Sequence, residues 1–263
     1  MGSILAIANQ KGGVGKTTSS VNIAASLVAT KRRVLLIDLD PQGNATMGSG
    51  VNKNDLELTG CDVLLGESDI GNVIIETEQA GYGLLPSNGD LVAAEVSLVN
   101  MAQSEKRLQQ ALQSVVDAYD YILIDCPPSL NMLTVNALVA AQGVIIPMQC
   151  EYYALEGLSA LMNTIEKIRT TLNFDLRVEG LLRTMFDPRN NLANDVSAQL
   201  TEHFGDKVYR TIIPRNVRLA EAPSHGLPAL LYDKRSQGAL AYLALAGEMI
   251  KRESNLAVAE TVS

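Results

Sequence analysis

Short apolar runs alternate with amphipathic segments along most of the chain. The runs are rich in Ile, Val and Leu with few polar interruptions, which is typical of strands buried on both faces of a parallel sheet. They lie at residues 4–8, 34–39, 121–124, 144–147, 179–185 and 208–213. Segments with helical periodicity lie between and after them, at about 17–29, 90–116, 130–141, 155–171, 192–203 and 238–252. This alternation predicts an α/β fold with a doubly wound, mainly parallel sheet flanked by helices.

The remaining segments suggest the domain boundaries. Residues 43–83 are rich in glycine and mixed in polarity, and they predict an irregular excursion with a short helix near residues 62–65. The sequence has no Pro- or Ser-rich linker and no internal repeat. We therefore expect one domain over residues 1–254, followed by a disordered tail over residues 255–263.

Composition narrows the class of protein. The chain has 263 residues, of which 47% are hydrophobic and 19% charged, and this excludes a disordered chain. Aromatic residues make up 4% with no Trp, which argues against a reader of nucleic acids that works by base stacking. No basic leader and no apolar stretch long enough for a membrane span is found, so we expect a cytoplasmic protein. The three cysteines and two histidines form no cluster, which argues against zinc and against a disulfide scaffold.

A glycine-rich loop lies between the first predicted strand and the first predicted helix. Residues 9–18 read NQKGGVGKTT. Glycines allow successive backbone N–H groups to surround an anion, and the helix that follows adds its positive end. Lys16 can reach the β and γ phosphates of a nucleotide, and the Thr17 hydroxyl can ligate Mg²⁺. The loop therefore predicts a nucleotide site formed by Lys11, Gly12, Gly13, Val14, Gly15, Lys16, Thr17 and Thr18.

Two predicted strands end in carboxylates, at the sheet edge where doubly wound folds bind ligands. Asp38 and Asp40 lie at the end of the second run, where Pro41 stops the strand. Asp125 follows four apolar residues, 121–124, which is the Walker B pattern for an aspartate that binds Mg²⁺ through water or holds the loop threonine. Asp38 fits two roles equally, a functional carboxylate or an acceptor for loop amides.

One departure from the common phosphate loop points to a specific family. Gln10 stands where the common pattern has its first glycine, while Lys11 stands five residues before Lys16. The segment KGGVGKTT resembles the deviant Walker A loop of the ParA/MinD family of dimerising ATPases. The resemblance implies a P-loop NTPase fold of the SIMIBI type that binds ATP and Mg²⁺. It also implies that Lys11 reaches across a homodimer formed on ATP binding to the partner's nucleotide. Asp40 is implied to position the attacking water and to lie in the outer shell of the magnesium.

Further segments resemble chromosomal ParA proteins, also called Soj, so that the likeness extends over about residues 3–252. They are EYYALEG at residues 151–157 and IPRNVRLAEAPSHG at residues 213–226. The resemblance implies that Pro214 and Asn216, with Met185 nearby, contact the adenine. It also implies slow ATP hydrolysis that a centromere-binding ParB-type partner stimulates.

The chain is acidic overall but has one basic segment. The net charge is −8, whereas residues 205–236 carry six basic and three acidic side chains. Such a surface suits sequence-independent binding of DNA phosphates, although arginines paired with surface carboxylates would give the same count. The family resemblance favours non-specific binding to double-stranded DNA, and hence association with the nucleoid. It implies Arg189 and Arg218 as DNA-binding residues, with Arg215 or Arg235 as further contacts.

Three alternatives differ in testable ways. A MinD-like ATPase that associates with membranes needs a basic amphipathic helix at its C-terminus. Residues 249–263 contain two basic residues and no bulky aromatic residue, so no membrane partner is expected. A relative of the nitrogenase iron protein needs cysteines at matching positions, which Cys61, Cys126 and Cys150 do not occupy. A nucleotide-binding scaffold without turnover is disfavoured by the presence of Asp40.

Overall fold

The apolar runs form the centre of one seven-stranded sheet, with strand order β3-β4-β2-β5-β1-β6-β7. The computed structural model describes residues 2–262, with side chains for residues 2–255. All neighbouring strands are parallel except β3 and β4, so the predicted doubly wound, mainly parallel fold is confirmed. The strands are β1 (Ser3–Ile7), β2 (Val34–Asp38), β3 (Ile75–Glu76), β4 (Gly83–Leu85), β5 (Tyr121–Asp125), β6 (Gly143–Met148) and β7 (Arg177–Arg183).

Helices cover both faces of the sheet, and a hydrophobic core lies on each face. Successive strand side chains point to opposite faces, so Ala6 and Ile124 join one core whereas Leu5 and Leu123 join the other. Both cores are buried, which explains why the strands read as continuous apolar runs. The helices are α1 (Lys16–Ala29), α2 (Asn44–Gly48), α3 (Gly60–Leu65), α4 (Ile70–Val73), α5 (Leu91–Leu98), α6 (Arg107–Leu112), α7 (Met132–Ala140), α8 (Ala154–Thr171), α9 (Asn191–Phe204), α10 (Val217–Glu221), α11 (Ala229–Tyr232) and α12 (Gln237–Val262).

The strand predicted at residues 208–213 is wrong. Only Val208 forms a bridge, to Leu181 of β7. Backbone bonds to β7 are otherwise scattered: the N–H groups of Tyr209 and Ile213 donate to the carbonyls of Leu181 and Arg183, at 3.0 and 2.9 Å. Side chains bind several of the groups between them. Arg183 donates to the carbonyl of Tyr209 at 2.7 Å, and Glu248 of α12 accepts from the N–H groups of Arg210 and Thr211, both at 2.9 Å. The segment therefore runs beside β7 without forming a continuous ladder.

The long helix predicted at residues 90–116 is divided into α5 and α6, separated by a turn in which Gln103 has φ of 53°. Asn136 of α7 stabilises the break, since it donates to the carbonyl of Ser104 at 2.8 Å and accepts from the N–H of Leu108 at 3.1 Å. Such an interruption depends on a residue distant in sequence, and local periodicity cannot reveal it.

Residues 43–83 are more ordered than the sequence pattern suggested, because they contribute β3 and most of α2–α4. The short helix predicted near residues 62–65 is confirmed as α3, which Thr59 and Asp62 begin with a reciprocal capping box. Across the part of the chain that the structure describes, no helix combines the length and apolarity needed to cross a bilayer. The tail predicted at residues 255–263 lies, except for Asn255, outside the residues whose side chains are described, and the single-domain boundary stays a prediction.

Candidate nucleotide-binding site

The loop between β1 and α1 has a shape suited to an anion. Gly13 and Gly15 have φ of 75° and 86°, a left-handed conformation that favours glycine. A Cβ atom on Gly12 or Gly13 would meet no atom within 4 Å, so the loop borders open space. α1 begins at Lys16 without a side-chain cap, which leaves its first N–H groups available to a ligand.

Lys16 lies beneath this space, with only 7% of its surface exposed. Its ammonium donates to the carbonyl of Lys11, at 3.3 Å, which folds the loop over the side chain. Burial lowers the pKa of Lys16, while the carboxylates of Asp125 and Asp40 act in the opposite direction. An ammonium held between buried carboxylates and an open loop is well placed to receive further negative charge.

The loop is also held by residues that sequence reasoning missed. The Thr184 hydroxyl, directly after β7, donates to the carbonyl of Val14 at 2.7 Å. The Asn9 side chain donates to the carbonyl of Pro147 at 2.8 Å and accepts from the N–H of Lys11 at 3.0 Å. For Thr184, the sequence signal of a role at this site is its place near the carboxyl end of a predicted strand, where doubly wound folds bind ligands.

The two strand-end aspartates, Asp38 and Asp125, are fully buried neighbours in β2 and β5. Asp38 accepts from the N–H of Asp40 at 3.1 Å, and from the N–H and the hydroxyl of Thr46, both at 2.8 Å. Of its two possible roles, the contacts therefore favour an acceptor for loop amides. Burial raises the pKa of both carboxyls, and repulsion from the Asp38 carboxylate raises that of Asp125 further.

Asp125 has an unused ligand atom. Its Oδ1 accepts from the Ser20 hydroxyl at 2.8 Å, whereas its buried Oδ2 has no hydrogen-bond partner. Thr17 lies close enough for its hydroxyl to lower the pKa of the Asp125 carboxyl. Within residues 2–255 no group of three or more His, Cys, Asp or Glu could hold a metal by itself. Asp125 and Thr17 fit Mg²⁺, because this ion binds few protein ligands and completes its shell with phosphate and water.

Asp40 lies half-buried at the tip of β2. Its Oδ1 accepts from the N–H of Gln42 at 2.9 Å, and its backbone carbonyl accepts from the Ser87 hydroxyl at 2.6 Å. These two hydrogen bonds hold Asp40 in place and do not involve its second carboxylate oxygen, Oδ2. Asp40 thus lies at the same edge of the sheet as Lys16, close enough to affect its pKa.

Lys11 is exposed, and its ammonium pairs with a residue outside its own phosphate loop. Its ammonium forms an ion pair with Glu151 Oε2 at 2.6 Å, and the two side chains are 43% and 51% exposed. Glu151 lies beyond the end of β6, the strand that neighbours β1. Sequence reasoning did not anticipate this pair, because 140 positions separate the two residues.

Met185, Pro214 and Asn216 come together beside the loop. Met185 has φ of 49°, unusual for a residue other than glycine, and its Cε lies 3.9 Å from where a Cβ on Gly15 would be. Pro214 forms a parallel bridge with Phe186, the residue after Met185. The Asn216 side chain caps α10 by accepting from the N–H of Arg218, at 3.1 Å. The residues predicted to contact the adenine thus lie in one region beside the phosphate loop.

The four predicted DNA-binding arginines are exposed, and two of them, Arg189 and Arg218, form ion pairs with carboxylates. Arg189 makes a bidentate pair with Asp187, at 2.9 and 2.7 Å. Arg189 and then Arg215 lower the pKa of Asp187, to about 2. Arg218 pairs with Glu221 at 2.7 Å and with Asp233 at 3.4 Å. Arg235 lies on the same loop as Asp233, to which its backbone N–H donates.

Comparisons with known proteins agree with this geometry. A family model described as an AAA domain matches residues 2–178. The chain is 54% identical to the sporulation initiation inhibitor protein Soj of Bacillus subtilis, over 95% of this chain and 98% of Soj. It is 50% identical to the chromosome partitioning protein ParA of Caulobacter vibrioides, over 95% and 94%. Its fold is similar to the cobyrinic acid a,c-diamide synthase of Mycobacterium smegmatis, solved with ADP and magnesium, at a TM-score of 0.85, 37% identity and coverage of 97% and 96%. The chain therefore belongs to the ParA/Soj family of chromosome-partitioning ATPases, within the ParA/MinD group that carries a deviant Walker A loop.

Proposed function

We propose that this protein is an ATP-dependent DNA-partitioning ATPase. Two chains close over two ATP molecules, the dimer binds double-stranded DNA without sequence preference, and slow hydrolysis releases it. A ParB-type partner bound to a centromere stimulates hydrolysis, so that chromosome or plasmid cargo is segregated over the nucleoid. ATP is hydrolysed to ADP and phosphate, and Mg²⁺, when bound, neutralises the charge that develops on the phosphates.

The position of Lys11 carries this proposal. Lys11 is the first residue of the KGGVGKTT loop, and its ammonium is held by one exposed ion pair to Glu151, beyond the end of β6. An exposed ion pair contributes about 0–1 kcal/mol, so Lys11 can leave Glu151 at little cost. On dimerisation it would move from this carboxylate to the partner's phosphates, which makes dimerisation depend on a triphosphate.

Replacing Glu151 with glutamine should make this exchange easier. Glu151→Gln removes the intramolecular ion pair and is expected to lower the dimer dissociation constant in ATP by about two- to fivefold, the equivalent of an exposed ion pair. Sedimentation velocity over a range of protein concentrations measures the change. Glu156→Gln is the control, since Glu156 is exposed on α8 and pairs with no basic side chain among the described residues. Weaker dimerisation of Glu151→Gln would mean that Glu151 contacts the partner itself.

Hydrolysis is assigned to the residues at the sheet edge. Lys16 holds the β and γ phosphates from below, and the backbone N–H groups of the loop surround them. Asp125 and Thr17 would hold Mg²⁺, as their open coordination suggests. Asp40, fixed through its backbone and Oδ1, orients the attacking water with its second oxygen.

The arginines assigned to DNA binding form two groups, each around one aspartate. Arg189 and Arg215 surround Asp187, while Arg218 and Arg235 lie around Asp233. Because these ion pairs are exposed, DNA phosphates can replace the carboxylates at small cost. Such contacts position a protein on DNA without reading sequence, and their affinity falls as salt rises.

DNA binding in different nucleotide states tests the proposal. We expect a labelled duplex of arbitrary sequence to bind with ATP or a non-hydrolysable analogue, and weakly with ADP or no nucleotide, by fluorescence anisotropy. Arg218→Glu should weaken this binding by about tenfold or more and reduce its salt dependence, while ATP-dependent dimerisation is retained. Arg169→Glu is the matched control, because Arg169 makes an equivalent exposed pair with Glu166 three residues away. Equal DNA affinity in all nucleotide states would refute the proposed cycle.

A further inference from the structure

One stretch of the chain is strongly and uniformly acidic. Residues 54–105 contain ten acidic side chains and no lysine or arginine. Seven of the ten are exposed, and none forms an ion pair with any residue whose side chain is described. The ten are Asp55, Glu57, Asp62, Glu67, Asp69, Glu76, Glu78, Asp90, Glu95 and Glu105. Elsewhere on the protein carboxylates commonly pair with arginine, so this stretch carries uncompensated negative charge.

The helix α5 within this stretch presents an apolar face to solvent. Val92, Val96 and Val99 are 55%, 66% and 68% exposed. Their spacing of four and three residues places them in one row, which we call the α5 stripe. The opposite side of α5 carries Leu91, Ala94 and Leu98, which are fully buried. One face of α5 therefore packs in the hydrophobic core, whereas the α5 stripe is exposed and takes no part in that packing.

Acidic groups border the α5 stripe. Asp90 is the residue before α5, and Glu95 lies beside Val99 around the helix. Burial raises the pKa of the Cys61 thiol in α3, and the nearby carboxylates of Asp62, Asp90 and Glu67 raise it further. α3 packs against α5, which brings these carboxylates to the edge of the helix.

We propose that the α5 stripe and its acidic border form a docking surface for a cationic amphipathic segment of another protein. Apolar side chains of the segment would pack on the three valines, and its lysines or arginines would pair with the surrounding carboxylates. DNA and anionic membranes carry the wrong charge for this surface. The surface is distinct from the DNA-binding arginines, so the inference goes beyond the proposed function and does not require it.

The surface is connected to the nucleotide site through the loop after β5. Glu95 Oε2 accepts from the side chain of Asn131, at 2.8 Å. Asn131 caps α7, and residues 126–131 lead directly from Asp125 to this cap. Leu130, 47% exposed, lies next to Asn131 and extends the apolar surface towards that loop. A segment docked on the α5 stripe would therefore contact the loop that follows Asp125.

A synthetic helical peptide tests the surface directly. The probe carries leucines in one row flanked by lysines and arginines, and its anisotropy is followed on titration with the full-length protein. One control peptide has the same composition in scrambled order, and another has the basic residues replaced by glutamate. We expect the cationic amphipathic peptide to bind at least about tenfold more tightly than either control, with an affinity that falls as salt rises.

Substitutions in the protein distinguish peptide binding at the α5 stripe from non-specific attraction of a cationic peptide to an acidic protein. The triple change Val92→Ser, Val96→Ser and Val99→Ser should weaken peptide binding by about tenfold or more, while Leu192→Ser, at an exposed leucine on α9, should not. Asp90→Lys with Glu67→Lys is a second variant that leaves the apolar face intact and should weaken binding similarly.

Equal binding by the valine variant and the Leu192 control would overturn the proposal. So would a loss of self-association in the valine variant by light scattering, because the stripe would then bind a second copy. ATP-dependent dimerisation and DNA binding are measured in parallel and should be unchanged.

Discussion

Replacing Lys16 with alanine is expected to abolish nucleotide binding at millimolar ATP. The ammonium is buried beneath the phosphate loop, where it lies near Asp125 and Asp40. Charge-assisted hydrogen bonds to two phosphates contribute about 3–5 kcal/mol, so the affinity should fall by roughly a hundred- to several thousandfold. Isothermal titration calorimetry with a non-hydrolysable ATP analogue measures the loss.

Two comparison variants show whether the loss comes from this ammonium. Lys167→Ala removes an exposed lysine of α8 and should leave affinity unchanged. Lys11→Ala should retain nucleotide binding by the monomer but lose ATP-dependent dimerisation, because its ammonium is paired with Glu151, outside the loop. If Lys16→Ala bound the analogue with normal affinity, the assignment of residues 11–18 as the phosphate loop would be wrong.

Replacing Asp40 with alanine should stop hydrolysis while leaving nucleotide binding intact. A carboxylate that orients or activates water contributes about 10²–10⁴ in rate, so phosphate release should fall by at least a hundredfold. The ATP-bound dimer should then accumulate on DNA, because hydrolysis is the step that releases it. Phosphate release and the mass by light scattering in ATP measure the two effects.

Asp40→Asn distinguishes the charge of Asp40 from its structural contact. Asparagine can still accept from the N–H of Gln42, and the backbone carbonyl keeps its bond to Ser87. It should therefore fold and bind ATP like the unmodified protein, yet hydrolyse it as slowly as Asp40→Ala. Normal turnover in Asp40→Asn would show that the carboxylate has no role in hydrolysis.

The sequence predicted those parts of the fold whose signals are local. The glycine loop, the five apolar strands β1, β2, β5, β6 and β7, and the aspartates that end β2 and β5 are each contained in about ten consecutive residues, and they lie where the pattern placed them. Predictions failed where a distant side chain decided the backbone. Residues 208–213 make only scattered backbone bonds to β7, because the Arg183 and Glu248 side chains bind groups between them. The helix over residues 90–116 is divided where Asn136 binds its interrupted turn.

By itself the sequence determined the glycine loop, the five long strands of the sheet with the helices that follow them, and the excess of acidic residues between positions 54 and 105. Only the tertiary structure decided which groups meet. It paired Lys11 with Glu151, joined Thr184 to Val14, and placed Asp38 and Asp125 side by side. It also showed that one face of α5 is buried while the valines of the other remain exposed. The physical reason is that a backbone conformation follows largely from neighbouring residues, whereas pairing and burial depend on residues that only the folded chain brings together.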